Sequence, residues 1–229
     1  MKNYLVVGHS SGIGKALSAK LAESHYVTGT YYKNEVASFQ NVSSHYLNVL
    51  DEQPDFSFLP DKLDGLAYCP GAIQLKPFAR FKEDDFIADF KLQVTGAIKV
   101  IQHCLPALKK AENSSIVLFS TVAARLGFNF HSLVSTSKGA IEGLTKALAA
   151  ELAPTVRVNC IAPSITNTPL AYSLLNTQEK IEANAQRHPL KKIGTPADIA
   201  TMAAYLLSEE SQWITGQIFS VDGGMSSIK

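Results

Sequence analysis

The sequence predicts an α/β protein built on a doubly wound parallel sheet of about seven strands flanked by helices. Three observations point there. Short apolar runs alternate with longer helical patterns along the whole chain. Those runs are apolar throughout rather than alternating with polar residues, as strands covered on both faces must be. No repeat, low-complexity stretch or linker-like tract interrupts the alternation, so residues 1–229 are expected to form one domain.

In chain order, residues 4–7 are a first strand, and a Gly/Ser-rich turn leads into GIGKALSAKLAES, where Ile13, Leu17 and Leu21 recur every four residues as in a helix. YVTGTYY is β-branched and aromatic, and DGLAYC, SSIVLFS, TVRVNCIA and QIFSVD read as further strands. DDFIADFKLQVTGAIKVIQHCLPALKK predicts one long helix with an apolar stripe of Phe86, Phe90, Val94, Ala97, Ile101, Leu105 and Leu108, bent or ended at Pro106. SKGAIEGLTKALAAELA predicts a second, with Ile141, Leu144, Leu148 and Leu152 on one face and a stop at Pro154. Residues 163–196 are the least regular segment before a closing helix, GTPADIATMAAYLL. Ligands of such sheets bind beyond the carboxyl ends of the strands, so this excursion is expected to form a lid.

Composition excludes several classes. With 46% hydrophobic residues and 21 Lys+Arg against 20 Asp+Glu, the chain has ample material for a core and lacks the basic footprint of a nucleic-acid binder. Its apolar runs fall far short of the ~20 residues that span a bilayer, and no membrane partner is expected. MKNYLVVGHS lacks the pattern of a secretory signal, so a cytoplasmic location is expected. Cys69, Cys104 and Cys160 are odd in number and without CxxC spacing, which reads as buried thiols in a reducing compartment. No metal is expected, because no His or Cys pair has ligand spacing.

Gly8, Gly12 and Gly14 form G-x-x-x-G-x-G after the first strand and at the start of the first helix. That is the context a dinucleotide loop requires. Without side chains the backbone turns tightly and approaches a pyrophosphate, whose charge meets the positive helix end. An ordinary glycine-rich βα turn is the other reading.

VGHSSGIG, VRVNCIAPSITNTP and GTPADIATMAAYLLSEESQWITGQIFSVDGGMS decide between them, for in these segments the chain resembles the short-chain dehydrogenase/reductase family from end to end. The resemblance implies a Rossmann-type domain and a nicotinamide cofactor. It places Gly8, Gly12 and Gly14 on the pyrophosphate, with Ile13 backing the loop and Gly71 following strand four. It places Pro163, Ile165 and Thr168 at the nicotinamide end and gives Asn159 a structural role. At the end of strand two, where an acid would select NAD(H), the sequence reads GTYYKN, with Tyr31 and Tyr32 in the acid's neighbourhood and Lys33 following. Ser10 and Ser11 add hydroxyls for phosphate oxygens, so NADP(H) is expected over NAD(H). A merely solvated Lys33 is the other reading of that residue.

The family's catalysts are a Tyr and a Lys in Y-x-x-x-K, a Ser thirteen residues before the Tyr, and an Asn on the preceding helix. Aligned on S-K-G-A, this chain keeps Lys138 but has Val134 for the tyrosine, Thr121 for the serine, with Ser120 beside it, and Gln93 for the asparagine. Asn48 stands for the Asp that meets adenine. Val134 has no proton to give. His131, six intervening residues before Lys138, takes the spacing at which the divergent enoyl-acyl carrier protein reductase branch carries its Tyr, so His131 or a bound water is the expected donor.

The resulting expectation is an NADP(H)-dependent reductase of a small carbonyl or alcohol, with Lys138, Thr121, His131 and Gln93 as its catalytic residues. Leu170, Tyr172, Leu174, Leu175 and Ile181 in the excursion suit a neutral, partly apolar substrate. The resemblance also implies a homodimer or homotetramer, with the two long helices and DGGMSSIK as contacts. An NADP(H)-binding but non-catalytic regulatory or scaffolding relative is the alternative.

Overall fold

The computed structural model describes residues 1–228. Seven strands, β1 (Asn3–Val7), β2 (Tyr26–Tyr31), β3 (Val42–Tyr46), β4 (Gly65–Tyr68), β5 (Ser114–Phe119), β6 (Val156–Pro163) and β7 (Ile218–Val221), form one sheet in the order β3-β2-β1-β4-β5-β6-β7. Every neighbouring pair is parallel. The order reverses between β1 and β4, and the crevice outside that switch point is where such sheets take ligands. The helices are α1 (Gly12–Ala22), α2 (Glu83–Phe90), α3 (Gly96–Leu108), α4 (Ala123–Leu126), α5 (Ser132–Leu152), α6 (Tyr172–Leu175), α7 (Gln178–Gln186) and α8 (Pro196–Leu207).

Successive side chains of a strand face opposite sides of the sheet, and here both sides are covered. Leu5, Leu66, Ile116 and Val158 pack with Val100, Cys104 and Ile141 of α3 and α5. Tyr4, Val6, Val117 and Ile161 pack with Leu17 of α1 and Ile199, Ala203 and Leu206 of α8. This two-sided burial is why β1, β4 and most of β5 read as apolar runs, and the polar residues that β5 and β6 do carry are themselves buried. Asn159, fully buried in β6, donates to the Ile214 carbonyl at 2.9 Å and accepts from the Gln217 amide at 3.1 Å, fixing the entry into β7.

The structure differs from the expected elements in several places. β3, VSSHY, is a strand that its polar residues conceal; at the sheet edge, pairing only with β2, it need bury little. The expected long helix is interrupted by a π-turn at Lys91–Thr95. The extra residue in that turn rotates the face, so Asp89 and Gln93 are buried while Phe90, expected in the core, is exposed. Pro106 does not end α3, which runs to Leu108 and closes with Lys109 donating to Leu105 at 3.0 Å. α5 begins at Ser132 rather than Ser137, and residues 163–196 contain α6 and α7.

The β1–α1 loop is fastened from three sides. A Cβ on Gly14 would land on the Gly8 carbonyl oxygen, and Gly8 (φ +78°) and Gly12 (φ +53°) occupy left-handed backbone. His9 turns inward, accepts the place against β2 that Gly29 leaves open, and bonds Ser44 Oγ of β3 at 3.1 Å. Its amide donates to Thr30 at 2.9 Å. A Cβ on Gly29 would overlap the His9 ring. Gly29→Ala is therefore expected to lower stability by about 1–3 kcal/mol in urea unfolding, as overpacking does. Adding His9→Ala should return most of that loss; an unchanged midpoint in the single variant would contradict the contact.

Candidate active site

Beyond the carboxyl ends of the central strands lies a cavity of ≈ 270 Å³. It brings together Ile13, Gly71, Gln93, Thr121, His131, Val134, Lys138, Pro163, Ile165 and Thr168, ten of the residues expected from sequence. The Thr121 loop is pinned to β6 by Ser120 donating to Ile161 at 2.7 Å and Val122 donating to Pro163 at 3.1 Å.

Lys138 lies one turn after Val134 on α5, as a spacing of four requires. Its ammonium donates to the Phe119 carbonyl at 2.9 Å, and burial lowers its pKa to about 8, with Cys160, Asp89 and Cys69 pulling the other way. Val134, 5% exposed, presents only methyl groups. Of the two neighbouring hydroxyls, Ser120 is committed, donating to Glu142 Oε1 at 2.9 Å. Thr121 Oγ1 accepts from the Ala123 amide at 3.3 Å and keeps its own hydrogen to donate.

Gln93 is oriented from behind. Its Nε2 donates to both oxygens of buried Asp89, at 2.9 and 2.8 Å, and a carboxylate only accepts, so the amide oxygen must point away. Ser137 adds a third donor to Asp89 at 2.6 Å. Gln93 Oε1 is left buried without a partner among the described residues, beside Gly71. A Cβ built on Gly71 would lie 3.3 Å from that oxygen and 3.7 Å from Lys138 Nζ, so the two polar atoms flank one point of the backbone.

His131, half-buried, caps α5 and lines the cavity. Its Nδ1 is 2.7 Å from the Asn129 carbonyl, which fixes the hydrogen on Nδ1 and leaves Nε2 unengaged. Cys69 lines the cavity wall and is half-buried as a residue, where Cys104 and Cys160 are fully buried. Its thiol is pushed up to about 12 by burial of the group, against the pull of Lys138, which keeps it protonated.

The remaining expected residues lie along the same edge but outside the cavity. Gly8, Ser10, Ser11, Gly12 and Gly14 form the loop before α1, whose N-cap Ser11 has no side-chain capping bond. Gly12 faces Thr168, whose methyl would lie 3.3 Å from a Cβ built there. Tyr31 ends β2 and packs edge-on against Tyr46. Lys33 is exposed, its Nζ 5.8 Å from the Tyr32 ring centroid. Asn48 serves its own turn, donating to Asp51 at 2.5 Å and accepting from Leu50 at 3.2 Å.

Ser164, His188, Met225 and Phe128 also line the cavity, and sequence reasoning missed them. No periodicity marks them, because they come from four separate loops. Among the described residues no cluster of three His, Cys, Asp or Glu side chains could hold a metal, and no helix is long and apolar enough to cross a membrane.

Known proteins share this architecture and sequence. A family model described as enoyl-(acyl carrier protein) reductase matches residues 57–226. A tropinone reductase homolog of Arabidopsis thaliana is 32% identical over 97% of this chain and 78% of its own length. The 3-oxoacyl-[acyl-carrier-protein] reductase of Thermotoga maritima is 30% identical over 96% of each chain. Among solved structures, a short chain dehydrogenase family protein of Francisella tularensis superposes with a TM-score of 0.90 at 26% identity, over 99% of each chain. ElxO with NADP bound gives 0.87 at 27% identity, over 99% of this chain and 100% of its own. This chain therefore belongs to the short-chain dehydrogenase/reductase family of oxidoreductases, with its Rossmann-like fold.

Proposed function

We propose that the protein is an NADP(H)-dependent oxidoreductase that interconverts a carbonyl and an alcohol on a small, partly apolar molecule, with a proton donor other than the family's tyrosine. The observation that carries this reading is the floor of the cavity. Lys138 Nζ and the unpartnered Gln93 Oε1 flank Gly71, while Val134 occupies the place one helical turn before Lys138.

The loop fits a dinucleotide: its glycines let the backbone turn tightly against Pro70, Thr168 and its own Gly8 carbonyl, and α1 offers N–H groups with no side-chain cap to an anion. When bound, the cofactor supplies hydride at its nicotinamide ring. Gly8, Gly12 and Gly14, with Ser10 and Ser11, would hold the pyrophosphate, and Pro163, Ile165 and Thr168 would border the ring. Lys138 would bind ribose hydroxyls and lend positive charge. Thr121, with its hydrogen free, would donate to the substrate oxygen as charge develops there. His131, in its doubly protonated form, would deliver the proton from Nε2, directly or through water, and Gln93 Oε1 would hold a water beside Lys138. Tyr31, Lys33 and Asn48 would meet the adenosine end. Residues 163–196, with Leu170 and Leu174 facing the cavity, would act as the lid. ElxO, 27% identical, has been solved with NADP, which supports the choice of cofactor. We place a homodimer or homotetramer contact on the long helices, where α2 leaves Ile87 and Phe90 exposed. Val134 also favours a second reading, a relative that binds NADP(H) without turnover; loss of NADPH absorbance on a carbonyl panel separates the two.

Three results are expected. First, calorimetric titration should show NADPH binding more tightly than NADH by about 1–3 kcal/mol, the worth of one charge-assisted phosphate contact. Lys33→Glu should reverse the order, and equal affinities in the parent protein would remove the role given to GTYYKN.

Second, Lys138 carries its charge below a pKa of about 8 and loses it above. NADPH affinity should accordingly fall as pH rises through about 8, below the range of an ordinary lysine. Lys138→Met should abolish that dependence, and a flat profile in the parent protein would contradict the assignment.

Third, His131→Ala should cost about 10²–10⁴-fold in turnover with NADPH affinity unchanged. Val134→Tyr restores a phenol on the Lys138 face of α5 and should raise activity on simple ketones. Full activity of the first variant together with no gain in the second would exclude a displaced donor.

A further inference from the structure

Ser164, directly after β6, and His188, after α7, make a hydrogen-bonded pair in the cavity wall, which Thr166, Asn184 and Arg187 also line. His188 is 2% exposed. Its Nδ1 lies 2.8 Å from the Asn184 carbonyl and its Nε2 lies 2.8 Å from Ser164 Oγ. A carbonyl oxygen only accepts, so Nδ1 carries the hydrogen. In the neutral imidazole Nε2 must then accept, and the hydrogen it accepts is that of the Ser164 hydroxyl. The hydroxyl has no second hydrogen to give. Met225 Sδ, 3.3 Å from Ser164 Oγ, has none either and cannot donate back. What Ser164 offers the cavity is therefore an acceptor alone.

The pair is held in register by the backbone on both sides. The Ser164 amide donates to Val221 at 3.3 Å, and Leu190, two residues after His188, donates to Gly223 at 3.1 Å. A Cβ built on Gly223 would already touch His188 Cβ at 3.5 Å. Turning the Ser164 hydroxyl toward a ligand acceptor would strand Nε2, buried and unpaired, which the interior penalises.

We propose that Ser164 is a specificity-determining residue that selects ligands bearing a hydroxyl or N–H donor, with His188 as the positioning residue that keeps it an acceptor. The substrate class is then a neutral carbonyl compound, or its alcohol, that carries a second, hydrogen-donating group. That this cavity takes the substrate rests on the function proposed above; the selection itself is testable without turnover.

The chain has three methionines, so the Met225 methyl, beside Ser164, is a resolvable NMR probe in the full-length protein. Cyclohexanol and methoxycyclohexane, matched rings with and without a donor, would be titrated side by side in the same buffer. Cyclohexanol should shift the Met225 signal and bind about tenfold more tightly than the ether, the worth of one hydrogen bond. Ser164→Ala should bring the two ligands to parity, and Ser164→Thr, which keeps the hydroxyl, should retain the preference. His188→Phe frees the Ser164 hydrogen and should improve binding of the ether. Equal binding in the parent protein, a preference that survives Ser164→Ala, or no movement of Met225 with either ligand would overturn the proposal. A preference that holds in a protein without reductase activity would instead count against the reductase reading alone.

Discussion

The approach of Gly14 to the Gly8 carbonyl, too close for any Cβ, is the constraint on which the rest of the site depends. It folds the β1–α1 loop flat against the sheet edge at the switch point between β1 and β4. From there the loop reaches every neighbour that matters: His9 against β2 and β3, Gly8 against Pro70 after β4, and Gly12 against Thr168 beyond β6. One bare stretch of backbone thereby sets the spacing between the β1–α1 loop and the cavity that holds Lys138.

A second constraint is the π-turn at Lys91–Thr95. A regular helix carrying the expected stripe would have faced Phe90 inward; the inserted residue buries Asp89 and Gln93 instead. Asp89 then fixes the Gln93 amide from behind, and its free oxygen arrives beside Lys138. Irregular helix geometry is here the means by which a polar group is delivered through an apolar layer.

What the sequence made legible follows from what repeats. Strands buried on both faces and helices with apolar stripes announce themselves by period, and the glycine loop by its place between them. β3 escaped because an edge strand need not be apolar, and the π-turn because a one-residue phase shift leaves the stripe looking intact. The candidate site divides the same way. The family resemblance points to Ile13, Thr121, Val134 and Lys138, and all four line one cavity. Ser164, His188 and Met225 were not, since their convergence is set by the packing of β6, the segment after α7 and the C-terminal turn, none of which is a local property of the chain.

In the function proposed above, Val134 would stand at the reacting end of the cofactor, and any proton would have to come from elsewhere in the cavity. The most direct measurement is the set of nuclear Overhauser contacts from the nicotinamide C4 proton of bound NADP⁺ in methyl-labelled protein. Cross-peaks to the Val134 and Thr168 methyls are expected, because both residues line the cavity that the ring would enter. Saturable binding of NADP⁺ with no contact from that proton to the Val134 methyls would contradict this placement.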